Sequence, residues 1–361
     1  MTTASLSSRQ LQPTTIPRAR TRDWLALSIL MVPVLLVAIV NTVLSFALPA
    51  ISMDLTPTAS TLLWITDIYP LVMAGLLVAM GSLGDRIGRR RILIIGTVGF
   101  AVMSTAGAFA PGPGWLVLAR AGLGFFGSML MPATLSLIRA IFLDSRQRTL
   151  AVAIWAASFS VGMSIGPVLG GLLLQAFSWR AVFFIAVPLL LPMIAAPWLL
   201  PESKNPDPGR VDVLSVLLSL LTLMPMVLGI KTLAHDGFTA LVIGSLVLAA
   251  VAGVTFVRRQ LRSASPLLDM RLFGIVPFTA AIVANMLSFF ALVGFTFFEA
   301  QQLQLVLGYQ PFTAGLLLIP AAGAAIVAGL GAVQLVKRVP KRSAMAVGLV
   351  IAALVIQTGR A

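Results

Sequence analysis

Three ionisable residues stand inside long apolar runs, and they are the first chemistry this chain offers: Asp67, Arg120 and Glu299. Asp67 and Arg120 each lie about five residues into their runs, and Glu299 about six residues before the end of its own. At about 1.5 Å per helical residue, all three come to one level, about 8–9 Å below the same surface. A carboxylate at that depth can hold a proton or an organic cation. Arg120 would lower the proton affinity of whichever acid it contacts, and an acid left buried and unpaired would hold its proton more tightly. A cation and a proton competing for one carboxylate expel each other, which turns binding into exchange. A charge at the centre of a bilayer costs about 2.5–3.5 kcal/mol on insertion scales, so such residues read as functional by default. The plainer alternative is interfacial: acids that reach headgroup water and an arginine that snorkels.

Other chemistries are excluded by composition. The chain has no Cys and one His, His235, so thiolate nucleophiles, disulfides and histidine-rich metal sites are absent from it. It carries no G-x-x-x-x-G-K-[ST] phosphate loop. Its polar breaks are too short for a catalytic domain. We therefore expect no enzyme, no metal and no organic cofactor.

The elements that must position these residues are membrane helices. Only 10% of the 361 residues are charged and 59% are hydrophobic, whereas a soluble domain has about 25% charged residues. Apolar runs fall at 24–51, 62–83, 92–111, 115–140, 149–176, 181–200, 212–231, 238–257, 278–305 and 312–336, with a last one from 343. These long runs lack strand alternation, and only helices fit them. The first run lacks a signal-peptide cleavage pattern and reads as a span. Trp24, Trp64, Trp115, Trp179 and Trp198 fall at span ends, where interfacial anchors belong.

Orientation follows from the 25 Lys and Arg. With the N-terminus inside, only Arg180 and Lys231 fall in outer loops; Arg120 is in a span and Arg360 near the end. That asymmetry predicts a cytoplasmic N-terminus. It also explains the net charge of +14 by topology, with attraction to anionic headgroups in addition, and not by nucleic-acid binding.

One basic reversal joins the second and third runs: Gly81-Ser82-Leu83-Gly84-Asp85-Arg86-Ile87-Gly88-Arg89-Arg90-Arg91. Its glycines would supply the positive φ values a tight reversal needs. Asp85 opposes the positive-inside rule and so asks for a role of its own. In the fifth run, Gly162, Gly166 and Gly170, with Pro167 and Gly171, place small residues at a four-residue spacing that lets helices approach closely. Asn41, Tyr69, Phe125, Trp155 and Phe289, with Phe126 and Phe290, offer polar or aromatic faces to a lipophilic cation, although ordinary packing explains any one aromatic as well.

The Gly81–Arg91 segment resembles the signature loop of the major facilitator superfamily of transporters. Arg120-Ala121-Gly122-Leu123-Gly124 resembles its fourth-span motif, with Leu123 where glutamine is common. Gly162-Met163-Ser164-Ile165-Gly166-Pro167-Val168-Leu169-Gly170-Gly171 resembles its antiporter motif. Leu63-Trp64-Ile65-Thr66-Asp67-Ile68-Tyr69-Pro70, Leu200-Pro201-Glu202-Ser203-Lys204 and Leu268-Asp269-Met270-Arg271-Leu272-Phe273 resemble the fourteen-span drug/proton antiporter branch, the QacA- and SmvA-like multidrug efflux pumps. The resemblance implies an all-α membrane protein of the major facilitator fold. It implies a cytoplasmic tail at 1–23, a six-span bundle at 24–200, and a linker, extra two-span hairpin and basic loop at 201–277. An incomplete C-terminal bundle of about three spans follows at 278–361, giving about eleven spans and a C-terminally truncated chain.

The implied activity is export of lipophilic or cationic drugs of the quaternary ammonium type across the cell membrane, driven by the proton gradient through rocker-type alternating access. Proton and cation coupling would fall to Asp67, Arg120 and Glu299, and a conformational latch to Gly81, Gly84, Asp85, Arg86, Gly88, Arg89 and Arg90. The partners would be a small-molecule cation, protons and the bilayer. An aspartate frequent in span 1 of this branch and an acid found in span 10 of some members are missing: Val40 occupies the place of the first, and the second corresponds to Ala325 or a neighbour. Transport of another small solute and a non-transporting fragment are the alternatives.

Overall fold

The computed structural model describes residues 18–204, 212–263 and 266–310, with isolated positions up to 323. The spans expected at 312–336 and from 343, and Ala325, lie outside the described residues apart from those positions. Among the described residues, ten α-helices follow one another: α1 (Thr21–Leu55), α2 (Ala59–Ile87), α3 (Arg89–Ala108), α4 (Pro113–Ile141), α5 (Ser145–Ala176), α6 (Ala181–Phe184), α7 (Ala186–Ala195), α8 (Val213–Asp236), α9 (Ala240–Arg262) and α10 (Val276–Gln301). Among the described residues, seven of these are long and apolar enough to cross a membrane.

Polar caps start several of them. Thr58 accepts from the Thr61 amide, Asp144 from the Arg146 and Gln147 amides, Asp212 from the Ser215 amide, and Thr239 from the Val242 amide. Each cap satisfies donors that the first helical turn leaves without a partner. Span 6 departs from the continuous helix expected at 181–200. It is divided at Ile185 into α6 and α7, and α7 ends at Ala195. Pro192 within α7 and Pro197 just beyond it lack the amide donors a continuing helix requires.

The core forms around α1. Some 67% of its apolar window is buried, against 11% for the window in α8, which places α1 inside and α8 at the edge. Helix α5 packs along α1, α4 lies against α2 and α3, α6 and α7 close over α1 and α3, and the α8–α9 hairpin docks on α2. The hairpin is fastened by small-residue contact: Ser219 Oγ donates to the Gly75 carbonyl at 2.9 Å, and Leu220 fills the space a side chain at Gly75 would need.

The glycine series of α5 works as its spacing suggests. Gly162, Gly166, Pro167, Gly170 and Gly171 are all buried. A Cβ on Gly162 would lie 2.6 Å from the Leu35 carbonyl, one on Gly166 would overlap Thr42 Oγ1, and one on Gly170 would sit 3.1 Å from Val43 Cγ2. The three positions thus let α5 run against α1 at backbone distance.

Candidate functional site

The basic reversal is tighter than its eleven residues suggest. Helix α2 runs through Gly81 and Gly84 to Ile87, and α3 begins at Arg89. Only Gly88 in this segment has a positive φ, 116°. The expectation that several glycines supply the turn is therefore corrected. Gly84 instead gives room to Ile92 of α3, and Gly81 to Pro132 of α4. Three arginines at a helix N-terminus oppose the positive end of the helix dipole. Glu202 offsets this: its carboxylate accepts the Arg90 amide at 3.3 Å and pairs with the Arg90 and Arg91 side chains at 3.6 and 3.8 Å. The Arg89 amide donates to the Ser203 carbonyl, and the Arg89 guanidinium bridges Asp85 and Ser203 Oγ. Asp85 and Arg89 are paired across Gly88, and the segment after span 6 holds the pair from the side. Sequence reasoning missed Glu202 in this role, although an acid next to an otherwise basic face was a visible signal.

Arg120 is the most buried charge described, at 2% exposure. Its Nε donates to the Ile65 carbonyl at 2.9 Å and one terminal nitrogen to the Thr66 carbonyl at 3.2 Å. Its guanidinium carbon stands 4.7 Å from the centroid of the Tyr69 ring. Its Nη1 and the Tyr69 hydroxyl are buried without a protein partner. Beside it lies a cavity of about 10 Å³ bounded by Val40, Ser104 and Phe183, about the room one water occupies. Gly124, one turn on, lets α4 reach α2: a Cβ there would lie 2.5 Å from the Tyr69 carbonyl. Arg120 therefore ties α4 to α2 through the backbone.

Asp67 lies on another face of α2. Residues two apart on a helix point about 200° apart, so Ile65 and Tyr69 enter the bundle core while Asp67 faces the hairpin. There it forms an ion pair with Lys231 of α8. Its ion-pair partner is thus Lys231, whereas Arg120 bonds to the backbone of α2. Lys231 was expected in an outer loop. Helix α8 in fact continues past it to Asp236 and ends at Gly237, whose φ is 71°. The uncharged Thr232-Leu233-Ala234 after the lysine, free of Gly and Pro, was the signal for that continuation. Leu63, Trp64 and Leu71 of α2 and Val227 and Leu228 of α8 flank the pair around a cavity of about 360 Å³.

The remaining expected residues do not converge on this pair. Glu299 is half-buried on α10, and among the described residues it makes no ion pair with Asp67 or Arg120. Phe289 is exposed on the same helix. Asn41 donates to the Val37 carbonyl of its own helix. Tyr69 is fully buried and meets Phe100 edge-on, which makes it a packing residue in this arrangement. Trp155 Nε1 donates to Thr134 Oγ1 at 3.1 Å and so joins α5 to α4, while Phe125 is partly exposed on α4. Trp179 is buried, and its indole donates to Asp54, which also pairs with Arg180 at 3.2 Å. It holds the end of α1 and is not a free interfacial anchor. Among the described residues no cluster of His, Cys, Asp or Glu could hold a metal ion.

Comparisons with known proteins agree with this architecture. The chain matches the family model Major Facilitator Superfamily over residues 30–357. It is 54% identical to the multidrug efflux pump LfrA of Mycolicibacterium smegmatis, over 93% of this chain and 67% of that protein. It is 36% identical to the methyl viologen resistance protein SmvA of Salmonella typhimurium, over 92% of this chain and 68% of that protein. The chain thus spans about two thirds of the length of these two relatives. A crystal structure of the peptide transporter POT shares the fold, with a TM-score of 0.54 at 18% identity over 87% of this chain and 70% of that one. With its helical spans, its glycine-packed α1–α5 contact and its charged residues within the spans, the chain belongs to the Major Facilitator Superfamily: it is a multi-pass membrane transporter and not an enzyme.

Proposed function

We propose that this chain exports lipophilic cations of the quaternary ammonium type from the cell by exchange for protons, with its N-terminus in the cytoplasm. The observation that carries the reading is Asp67: an acid within an apolar span, beside a drug-sized cavity, in a chain 54% identical to a multidrug efflux pump. A cavity of about 300–1,000 Å³ with apolar walls and few polar groups suits a drug-sized ligand. Exchange needs a carboxylate that a proton and a cation can occupy in turn. Arg120, held by the backbone of α2, and Glu299 complete the proposed coupling set. The Asp85–Arg89 pair serves as half of a latch between the inward- and outward-facing states. No bound cofactor takes part, because the proton gradient supplies the work.

Efflux of ethidium and of a quaternary ammonium biocide from cells expressing the chain tests this. The expected result is energised efflux that a protonophore abolishes and Asp67→Asn reduces about tenfold or more, an effect on the scale of one intramembrane charge. Efflux that persists with the protonophore would overturn proton exchange. Absence of efflux in cells that hold the protein in the membrane would overturn drug export by this chain.

A further inference from the structure

The groove between α2 and α8 holds two opposite charges where its walls are otherwise uncharged and mostly apolar. Ser60, Trp64, Asp67 and Leu71 follow a three- and four-residue spacing and form one stripe of α2. Val227, Leu228 and Lys231 form the facing stripe of α8. The ion pair is not sealed: the Lys231 side chain is 41% exposed and that of Asp67 is 22% exposed. The lysine is five residues from the end of α8, about 7–8 Å along the axis, and its flexible stem can carry the ammonium toward the helix end. Arg120 behaves differently, since its contacts are to the backbone of a packed helix.

We propose that Lys231 is a tethered counter-cation, which occupies Asp67 while the groove is empty and yields the carboxylate to a lipophilic organic cation that enters between α2 and α8. The bound cation places its charge on Asp67, one aromatic face on Trp64 and its apolar bulk against Leu63, Val227 and Leu228. Lys231 then turns outward, so that one positive charge replaces another when the organic cation binds. This assigns a binding role to the extra hairpin, whose Lys231 acts through Asp67 as a positioning residue that sets affinity. It rests on the reading of the chain as a handler of lipophilic cations.

The test is equilibrium binding of tetraphenylphosphonium, which carries a permanent charge and no exchangeable proton, to the purified 361-residue chain at pH 8. Lys231→Met should tighten binding about tenfold, since removing the competing cation leaves the carboxylate's attraction at about 4 Å unopposed. Lys231→Arg should bind as the parent does. Asp67→Asn should weaken binding, and Asp67→Asn with Lys231→Met should show no gain.

Because the chain has no native Cys, Lys231→Cys gives a control within one folded sample. Attaching an aminoethyl disulfide, which restores a cation near the lysine's reach, should reverse the tighter binding. Attaching a methyl disulfide should leave it. Affinity unchanged within twofold or weaker in Lys231→Met, a gain that survives Asp67→Asn, or no binding by any variant would each overturn the proposal. If the binding pattern holds but cells show no efflux, the groove stands and export falls. If cells show efflux without the binding pattern, export stands and the groove falls.

Discussion

Arg120 and Lys231 are both cations within apolar spans, and both reach α2, yet they reach different faces of it. Arg120 comes from the core side, is 2% exposed, and bonds to the Ile65 and Thr66 carbonyls. Lys231 comes from the hairpin side, has a 41% exposed side chain, and pairs with a carboxylate. A guanidinium fork against backbone, closed in by packing, is a fastening with no second arrangement at hand. An ammonium on a flexible stem against an acid in an open groove is an exchangeable contact. The same helix thus carries a fixed face and a labile face, separated by the 200° between Ile65 and Asp67.

The strongest way to break this comparison is Arg120→Ala. It removes two charge-assisted hydrogen bonds and leaves a cavity, and we expect a loss of about 3 kcal/mol or more in thermal unfolding of the purified protein. Arg120→Lys should recover little, because one ammonium does not reproduce the fork. Stability restored by Lys would show that charge alone matters there.

Gly124→Ala should come next, at about 2 kcal/mol, since the new methyl meets the Tyr69 carbonyl, a backbone atom that cannot swing aside. On the labile face, a double-mutant cycle of Asp67→Asn and Lys231→Met should give a coupling of about 1 kcal/mol, the scale of a partly exposed pair. A coupling as large as the Arg120 effect would erase the contrast. Gly75→Ala should cost less than Gly124→Ala, about 0.5 kcal/mol, because it meets the movable end of Leu220 rather than backbone.

The smallest effect concerns the foot of the hairpin. Hydrogen bonding from Arg259, aided by Ser215, holds the Asp212 carboxyl well below the usual carboxylate range. A depressed folded value means that its contribution is present above the unfolded value of about 3.9 and is lost only as pH falls through the folded one. Exchange protection of the Ser215 amide, corrected for its intrinsic rate, should therefore persist to about pH 3. Asp212→Asn should lower that protection at every pH.

Most helices were legible because hydropathy is a local property. Runs of apolar residues between polar breaks place α1 to α5, α9 and α10 within a few residues of their observed limits. The glycines of α5 were legible too, since a four-residue spacing puts them on one helix face before any partner is known. The segment from Gly81 to Arg91 was legible as a reversal and misread in detail. Composition shows glycines, but only the packing of Ile92 and Pro132 shows that Gly81 and Gly84 serve contacts and Gly88 alone the turn.

The sequence by itself determined that this is a helical membrane protein of the Major Facilitator Superfamily, because length, hydropathy and motif order are properties of the chain. The tertiary structure decided which charges meet. Depth along a helix is set by residue number, but direction around it is set by what packs on each side. The same depth that suggested a meeting of Asp67 with Arg120 also holds Lys231, and the facing of α2 toward both α4 and the hairpin gave the acid to the lysine.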